Sequence, residues 1–418
     1  MFLRIKNVLR ASHGLFLIGG SGALEKIIHL GTFFGLTLLL EPEDYGLFAL
    51  AWIVIAVADS FFDFGSSLGY MSSAKSGDKN QYKKILNGAA VIFSLFWFSV
   101  CAIVGCVLLL SGNEKVGELI IPTAFIFLLK GYIYPCTTTL SLNKEYKSLS
   151  ILQITPAILG GVAGFWFAKE GAGVWALVLR YLVAGASSCL ILTVISPYTK
   201  KIVFNLTQIR TWLRHGWMLS VSNNVGWLVV YQVEQAVIGS TMGPAVLGLY
   251  NFARKPADIA SQVLSQIGSR FYLPSYITDQ IGIIRVYKDA TFVACLCGFF
   301  SVLGYFVAKL AILNFWSEDW HPVINILPLA FVIIPLISIE TVFKYFLAAR
   351  GSSRIILIVN LSAAAVSIPL FLLAATMGLH VQYFLWVAIV ILTLKIGAFF
   401  IVTNFYMAER DGQVVVNL

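Results

Sequence analysis

The sequence predicts an all-α polytopic membrane protein with about twelve transmembrane helices, and three observations carry that assignment. The chain has 418 residues, of which 59% are hydrophobic and only 12% charged; a soluble domain has about 25% charged residues. The apolar residues fall in runs of about 20, the length that crosses a hydrocarbon core of about 30 Å as a helix. Lysine and arginine collect in alternate loops, the asymmetry that orients membrane proteins.

Residues 1–13 place Phe2, Leu3, Ile5 and Leu9 against Arg4, Lys6 and Arg10, the pattern of a short amphipathic helix on a membrane surface. Spans follow at 14–40, 44–64, 86–110, 118–142, 149–168 and 172–196. A second set runs over 216–240, 246–272, 288–312, 322–345, 355–376 and 381–407. Glu41-Pro42-Glu43-Asp44 reads as a turn and helix start, since proline suits the first turn and acids suit its dipole. One set of loops carries Lys75, Lys79, Lys83, Lys84, Lys144, Lys147, Lys200, Lys201, Arg210, Arg214, Arg285, Lys288, Arg350 and Arg354. The opposite loops hold little beyond Lys115 and Lys169, beside Glu41, Glu43, Asp44, Glu118, Glu318 and Asp319. The bias places both termini in the cytoplasm.

The same distribution argues against nucleic acid as the partner of the net charge of +9, because the cations are spread over membrane loops. Six cysteines lie mostly within apolar runs, and the two-residue step from Cys295 to Cys297 fits neither a zinc site nor a redox motif. They are expected to be buried thiols acting as small hydrophobes. Glu25 and Lys26 interrupt the first apolar run, which speaks against a cleaved leader. All loops are short, so no soluble catalytic domain fits and no enzyme activity is expected.

Tyr45-Gly46-Leu47-Phe48-Ala49-Leu50-Ala51 aligns with Leu247-Gly248-Leu249-Tyr250-Asn251-Phe252-Ala253, each at the start of the second span of its half. Both copies run in the same direction, which predicts a parallel repeat: an N-terminal lobe over 1–199, a linker helix on the cytoplasmic surface over 200–215, and a C-terminal lobe over 216–418. A parallel repeat predicts a site between the lobes, in a central cavity.

About eleven ionisable residues fall at membrane depth: Glu25, Lys26, Asp59, Asp63, Lys130, Arg180, Glu234, Arg254, Lys255, Asp258 and Lys395. Facing lipid unpaired, they would cost on the order of 30 kcal/mol together, so they pair or face water. Arg254 and Asp258, like Asp59 and Asp63, are four apart on one helical face, as are Glu340 and Lys344. Pro256 removes a helical hydrogen bond and predicts a kink near Phe252. Arg254 and Lys255 beside one acid predict an excess of positive charge; the simpler alternative is an internal salt bridge from Arg254 to Asp258. The cations Arg254, Lys255, Lys26, Lys130, Lys395 and Arg180 are candidates for binding an anionic substrate. Glu25, Asp59, Asp63, Glu234 and Asp258 are candidates for ion coupling or for partnering those cations. His29 is expected to be a packing histidine.

Ile238-Gly239, Gly243 and the Leu247–Ala253 run, with the Leu40–Ala51 run, Trp320 behind an acidic pair and Ala348-Ala349-Arg350-Gly351, resemble the motifs of Wzx-type polysaccharide transporters. These belong to the superfamily that holds the MATE antiporters and peptidoglycan lipid flippases. The resemblance runs over nearly the whole chain and implies two six-helix lobes. It also implies a flippase for undecaprenyl-diphosphate-linked oligosaccharide repeat units, with no bound cofactor, a proton or sodium gradient as a possible drive, and a polysaccharide polymerase as a possible partner. A MATE-like small-molecule exporter is the first alternative, although it calls for a more acidic cavity. A membrane glycosyltransferase or polymerase is the second, although it calls for a longer external loop.

Overall fold

A computed structural model describes residues 20–76, 78–195, 201–227, 231–278 and 283–410. The amphipathic helix expected over 1–13 lies outside them. The chain divides into two compact units that part between Asn224 and Val225, and among the described residues every regular element is helical.

The first unit contains helix α1 (20–36), α2 (Pro42–Ser60), α3 (Ser66–Ser76), α4 (Lys79–Leu110), α5 (Glu114–Leu142), α6 (Tyr146–Lys169), α7 (Trp175–Ile195) and the greater part of α8 (Leu206–Trp227). Pro42 opens α2, and the Glu41 N–H donates to the Asp44 carboxylate at 3.4 Å, so the acidic stretch is the helix start that its composition suggests. The Asp78 side chain caps α4 by accepting from the Asn80 N–H at 2.8 Å. α1 lies on α6: Gly35 leaves room for the Phe165 ring, Gly161 for Thr32, and the Ser21 hydroxyl donates to Gln153 at 2.7 Å. α2 packs on α5, α4 on α5, α5 on α7, and α6 on α7.

In the second unit are α9 (Val233–Met242), α10 (Pro244–Ile267), a π-helical turn (Gly268–Tyr272), α11 (Leu273–Thr278), α12 (Ile283–Phe315), a 3-10 segment (Glu318–Asn325), α13 (Leu327–Ala349), α14 (Ser353–Thr376) and α15 (Gln382–Arg410). Here α9 packs on α14, α10 on α13, α12 on α13, α13 on α15, and α14 on α15. The pattern within each unit is the same: α1 lies on α6 as α9 on α14, α2 and α4 on α5 as α10 and α12 on α13, α5 on α7 as α13 on α15, and α6 on α7 as α14 on α15. Pro42 and Pro244 both stand three residues ahead of the matched motifs, and Gly46/Gly248, Phe48/Tyr250 and Ala51/Ala253 are buried at equivalent positions. The two sequence motifs therefore mark the same structural position in two similarly built units. Trp320, wholly buried, packs on Phe252 with ring centroids 5.0 Å apart.

Among the described residues eight helices are long and apolar enough to cross a membrane: α4 to α7 and α12 to α15. The remaining predicted spans fall on α1, α2, α8 with α9, and α10, which carry most of the membrane-depth charges. Within α2 stand Glu43, Asp44 and Asp59; within α10 stand Arg254, Lys255 and Asp258.

Four local features add to the expectations or differ from them. α2 ends at Ser60, and a turn through Phe64 (φ +46°) and Gly65 (φ +79°) leads into α3, so Asp59 and Asp63 do not share a helical face. α10 is assigned without interruption through Pro256; the irregular turn comes later, where Gly268 lets the Tyr345 ring approach and the Tyr345 hydroxyl donates to the Ser265 carbonyl at 2.9 Å. α8 runs from Leu206 past 215 as one helix, so no break separates the expected linker from the expected seventh span. Of the cysteines, Cys101 and Cys136 are buried as expected, whereas Cys106 and Cys295 are exposed on their helices.

Candidate functional site

The membrane-depth ionisable residues are organised within each unit as ties between helices. In the first unit Lys130 of α5 forms an ion pair with Asp59 near the end of α2. The Lys130 ammonium also lies 5.9 Å from the centre of the Phe62 ring, a cation–π distance. The two side chains retain 30% and 40% exposure, the most open of the membrane-depth ion pairs. An aliphatic stem with a terminal ammonium lets Lys130 reach across from the neighbouring helix while its methylenes lie along apolar surface.

Asp63 is engaged differently. Its carboxylate accepts the N–H groups of Gly65 at 3.0 Å and Ser67 at 3.2 Å, and the Tyr134 hydroxyl at 3.1 Å. It caps the first turn of α3, a structural duty that a helix end after an apolar run makes intelligible.

Arg180 of α7, buried, directs a guanidinium nitrogen to within 3.0 Å of His29 Nδ1 on α1. A guanidinium only donates, so Nδ1 accepts and the imidazole carries its proton on Nε2. That nitrogen lies 3.6 Å from the Glu25 carboxylate, one helical turn earlier. His29 thus joins Glu25 to Arg180 as a polar bridge, beyond the packing role expected of it. Arg180 also lies 5.5 Å from the Tyr181 ring, which stacks near Trp52 at 4.4 Å. Lys26 stands beside this bridge on α1, half-buried, with no carboxylate paired to it among the described residues.

In the second unit Glu234 of α9 is fully buried and accepts from both Arg254 and the Tyr250 hydroxyl of α10. Arg254 Nε also lies 3.6 Å from Asp258, whose other oxygen accepts the Tyr231 hydroxyl at 2.6 Å. The guanidinium sits 4.8 Å from the Tyr231 ring. Glu234 adds a second acid to the Arg254–Asp258 stretch and offsets the excess positive charge expected there: Arg254 pairs with Glu234 and also approaches Asp258. The Arg254–Asp258 contact is present, but it is the longer of two, and Glu234 from the neighbouring helix makes the closer one. Lys395 of α15 pairs with Glu340 of α13. The Glu340–Lys344 pair suggested by spacing is replaced by this inter-helix pair, and Lys344 instead approaches the Tyr345 ring at 6.0 Å.

Sequence reasoning found the ionisable residues but missed the phenols that complete the clusters. Tyr250 is four residues before Arg254, one turn away on the same face, and that spacing was a usable signal. Tyr231 is marked by the polar stretch it shares with Gln232, Glu234 and Gln235, whereas Tyr134 reaches Asp63 from α5 with nothing in the linear order to mark it. Among the described residues these clusters bring together carboxylates, cations and phenols. Among the described residues no group of three or more His, Cys, Asp or Glu is placed to hold a metal. What the arrangement does offer is a set of cations, of which Lys130, Arg254 and Lys395 are each held by a carboxylate of another helix.

The sequence matches the family described as polysaccharide biosynthesis protein over residues 36–325. It is 23% identical over 403 residues to the lipopolysaccharide biosynthesis protein WzxC of Escherichia coli (strain K12), covering 91% of this chain and 78% of that one. Among solved structures it resembles the lipid II flippase MurJ in an inward closed conformation, with a TM-score of 0.66 and 11% identity over 93% of this chain and 87% of that one. It also resembles a eukaryotic MATE transporter, AtDTX14, with a TM-score of 0.57 and 14% identity over 97% of this chain and 98% of that one. These likenesses establish the fold as that of polytopic transporters.

Proposed function

The chain belongs to the polysaccharide biosynthesis protein family, and we propose that it is a flippase for undecaprenyl-diphosphate-linked oligosaccharide repeat units. It carries these precursors of O-antigen, capsule or exopolysaccharide across the bacterial inner membrane by alternating access, with both termini in the cytoplasm. The family match supports this reading, as does the relative whose name places it in lipopolysaccharide biosynthesis. The observation that carries the chemistry is the pairing of membrane-depth cations with carboxylates in both units.

The physical need is clear. An unpartnered hydroxyl costs about 4–8 kcal/mol in hydrocarbon, so a few sugars suffice to block spontaneous crossing. A diphosphate adds charge that Lys and Arg bind well. Stranding a buried cation costs about 3–5 kcal/mol, so Lys130, Arg254 and Lys395 each wait on a carboxylate and exchange it for a phosphate oxygen when substrate arrives. Lys130 suits that exchange best, because its pair with Asp59 is the most open. Lys26 suits it next, having no carboxylate partner to displace. Lys395 and Arg180 follow, while Arg254 and Lys255 sit in the most enclosed cluster. Proton or sodium coupling falls to Glu25, Asp59, Glu234 or Asp258, which are left without cations as the substrate takes them.

Paired apolar replacement tests this assignment. A purely structural ion pair can be exchanged for two well-packed apolar side chains with little loss. In a strain lacking its own flippase, Lys130→Leu with Asp59→Leu is expected to accumulate in the membrane at near-normal level while surface polysaccharide falls by at least tenfold. Normal surface polysaccharide from the double variant would contradict a substrate role for Lys130.

A further inference from the structure

The segment ahead of α8 is fixed to the first unit by specific contacts. The Val203 N–H donates to the Lys84 carbonyl at 3.1 Å, and the Asn87 side chain donates to the Lys201 carbonyl at 3.1 Å. Gly88 of α4 leaves room for the Val203 carbonyl. One face of α8 then turns inward: Ile209, Trp212 and Gly216 are buried, at the three- and four-residue steps of a helix face. The Trp212 indole donates to the Ser73 hydroxyl at 2.9 Å and sits between Tyr70 and Tyr82, with centroids 5.9 and 6.1 Å away.

The opposite face is exposed and has an unusual composition. Leu206, Arg210, Arg214 and Trp217 lie within about 80° of one another around the helix axis at 100° per residue, and all four are exposed. Ile202, Val203 and Phe204, just before the helix, are exposed too. The contacts above bring Lys201 beside the first turns of α4, which carry Lys79, Lys83 and Lys84. Asp78, the α4 cap, is the acid beside these cations, and the sequence has no Asp or Glu from 171 to 233.

Apolar side chains alternating with arginines on one exposed face fit a surface where hydrocarbon and negative charge meet. We propose that residues 201–217, locked onto α3 and α4, form a docking surface for anionic phospholipid. Arg210 and Arg214, with Lys201 and Lys84 nearby, take the headgroup phosphates, while Ile202, Phe204, Leu206 and Trp217 enter the acyl boundary. The surface lies outside the ion pairs assigned to transport, so this assignment does not depend on which substrate the protein carries.

Hydrogen exchange on the full-length protein in nanodiscs tests this directly. Amides of 201–206, exposed and mostly outside regular helix, are expected to exchange at least fivefold more slowly in phosphatidylglycerol discs than in phosphatidylcholine discs. Each arginine near an anionic surface contributes about fivefold, so Arg210→Gln with Arg214→Gln is expected to abolish the difference. Arg210→Lys with Arg214→Lys is expected to keep most of it, which separates lost charge from misfolding. Inorganic phosphate added to the phosphatidylcholine discs is expected to have no effect; slowing by phosphate alone would overturn the lipid assignment. Equal exchange in the two lipids would also overturn it, leaving the stripe to an acidic protein partner. So would a lipid dependence that survives the glutamine variant.

Discussion

Replacing Glu234 by leucine is expected to destabilise the second unit by about 3–5 kcal/mol, the usual result of stranding a buried charge. Glu234 is fully buried, and two donors converge on it, the Arg254 guanidinium and the Tyr250 hydroxyl. Its loss leaves Arg254 with the longer contact to Asp258 and leaves the phenol without its acceptor. Glu234→Gln is expected to be milder, since the amide oxygen still accepts while the charge is gone. The double change Glu234→Leu with Arg254→Leu removes both buried charges, and Asp258 keeps the Tyr231 hydroxyl. It is expected to recover more than half of the lost stability. Thermal unfolding of detergent-purified protein, read for the parent, Glu234→Leu, Arg254→Leu and the double variant, gives the coupling energy. A Glu234→Leu variant that melts like the parent would show that the cluster contributes nothing to the fold.

Gly216→Val is expected to prevent accumulation of the protein in the membrane. Gly65 and Gly216 meet backbone to backbone in the first unit, and a Cβ on Gly216 would fall 2.9 Å from the Gly65 Cα. Neither partner can yield as a side chain would, so overpacking costs about 1–3 kcal/mol even for a small addition. Gly65→Ala meets the same obstacle, its Cβ falling 2.8 Å from the Gly216 Cα, and adds a backbone at φ +79°. That left-handed conformation costs a non-glycine residue about 1–2 kcal/mol. Gly112→Ala separates the two effects, because Gly112 has φ +90° with open space around its Cβ position. It is expected to lose only the conformational part. Membrane levels and melting temperatures that rank Gly112→Ala with Gly65→Ala would refute the close approach of α8 to the α2–α3 turn.

Much of the fold is legible in the sequence because lipid imposes a simple rule. Apolar length located α4 to α7 and α12 to α15 with ends that differ by at most seven residues, the largest at the start of α4. The motif match was visible because glycine and aromatic residues recur at one structural position, the first turns of α2 and α10. Helices α1, α2 and α10 carry charges instead of uniform apolarity, so length alone does not identify them, and the chemistry concentrates there. The turn at Phe64 and Gly65 was hidden, since a left-handed step needs only one or two residues inside an otherwise continuous apolar run. The site was legible as a roster of ionisable residues but not as a set of partners. Glu234 pairs with Arg254 across helices, and Glu340 chooses Lys395 over the nearer Lys344, because tertiary packing outranks a four-residue spacing.

Transbilayer movement of a labelled polyprenyl-diphosphate oligosaccharide in reconstituted vesicles tests the central claim most directly. The comparison lipid is a polyprenyl glycoside with the same sugars and no diphosphate, and an impermeant sugar-modifying reagent reports which leaflet holds each. Vesicles containing the protein are expected to move the diphosphate form at least tenfold faster than protein-free vesicles, and to leave the neutral form unaccelerated. Lys130→Leu with Asp59→Leu is expected to remove that acceleration. No movement of the diphosphate form beyond the protein-free rate, from protein that is folded and fully inserted, would contradict the assignment of this chain as a lipid-linked oligosaccharide flippase.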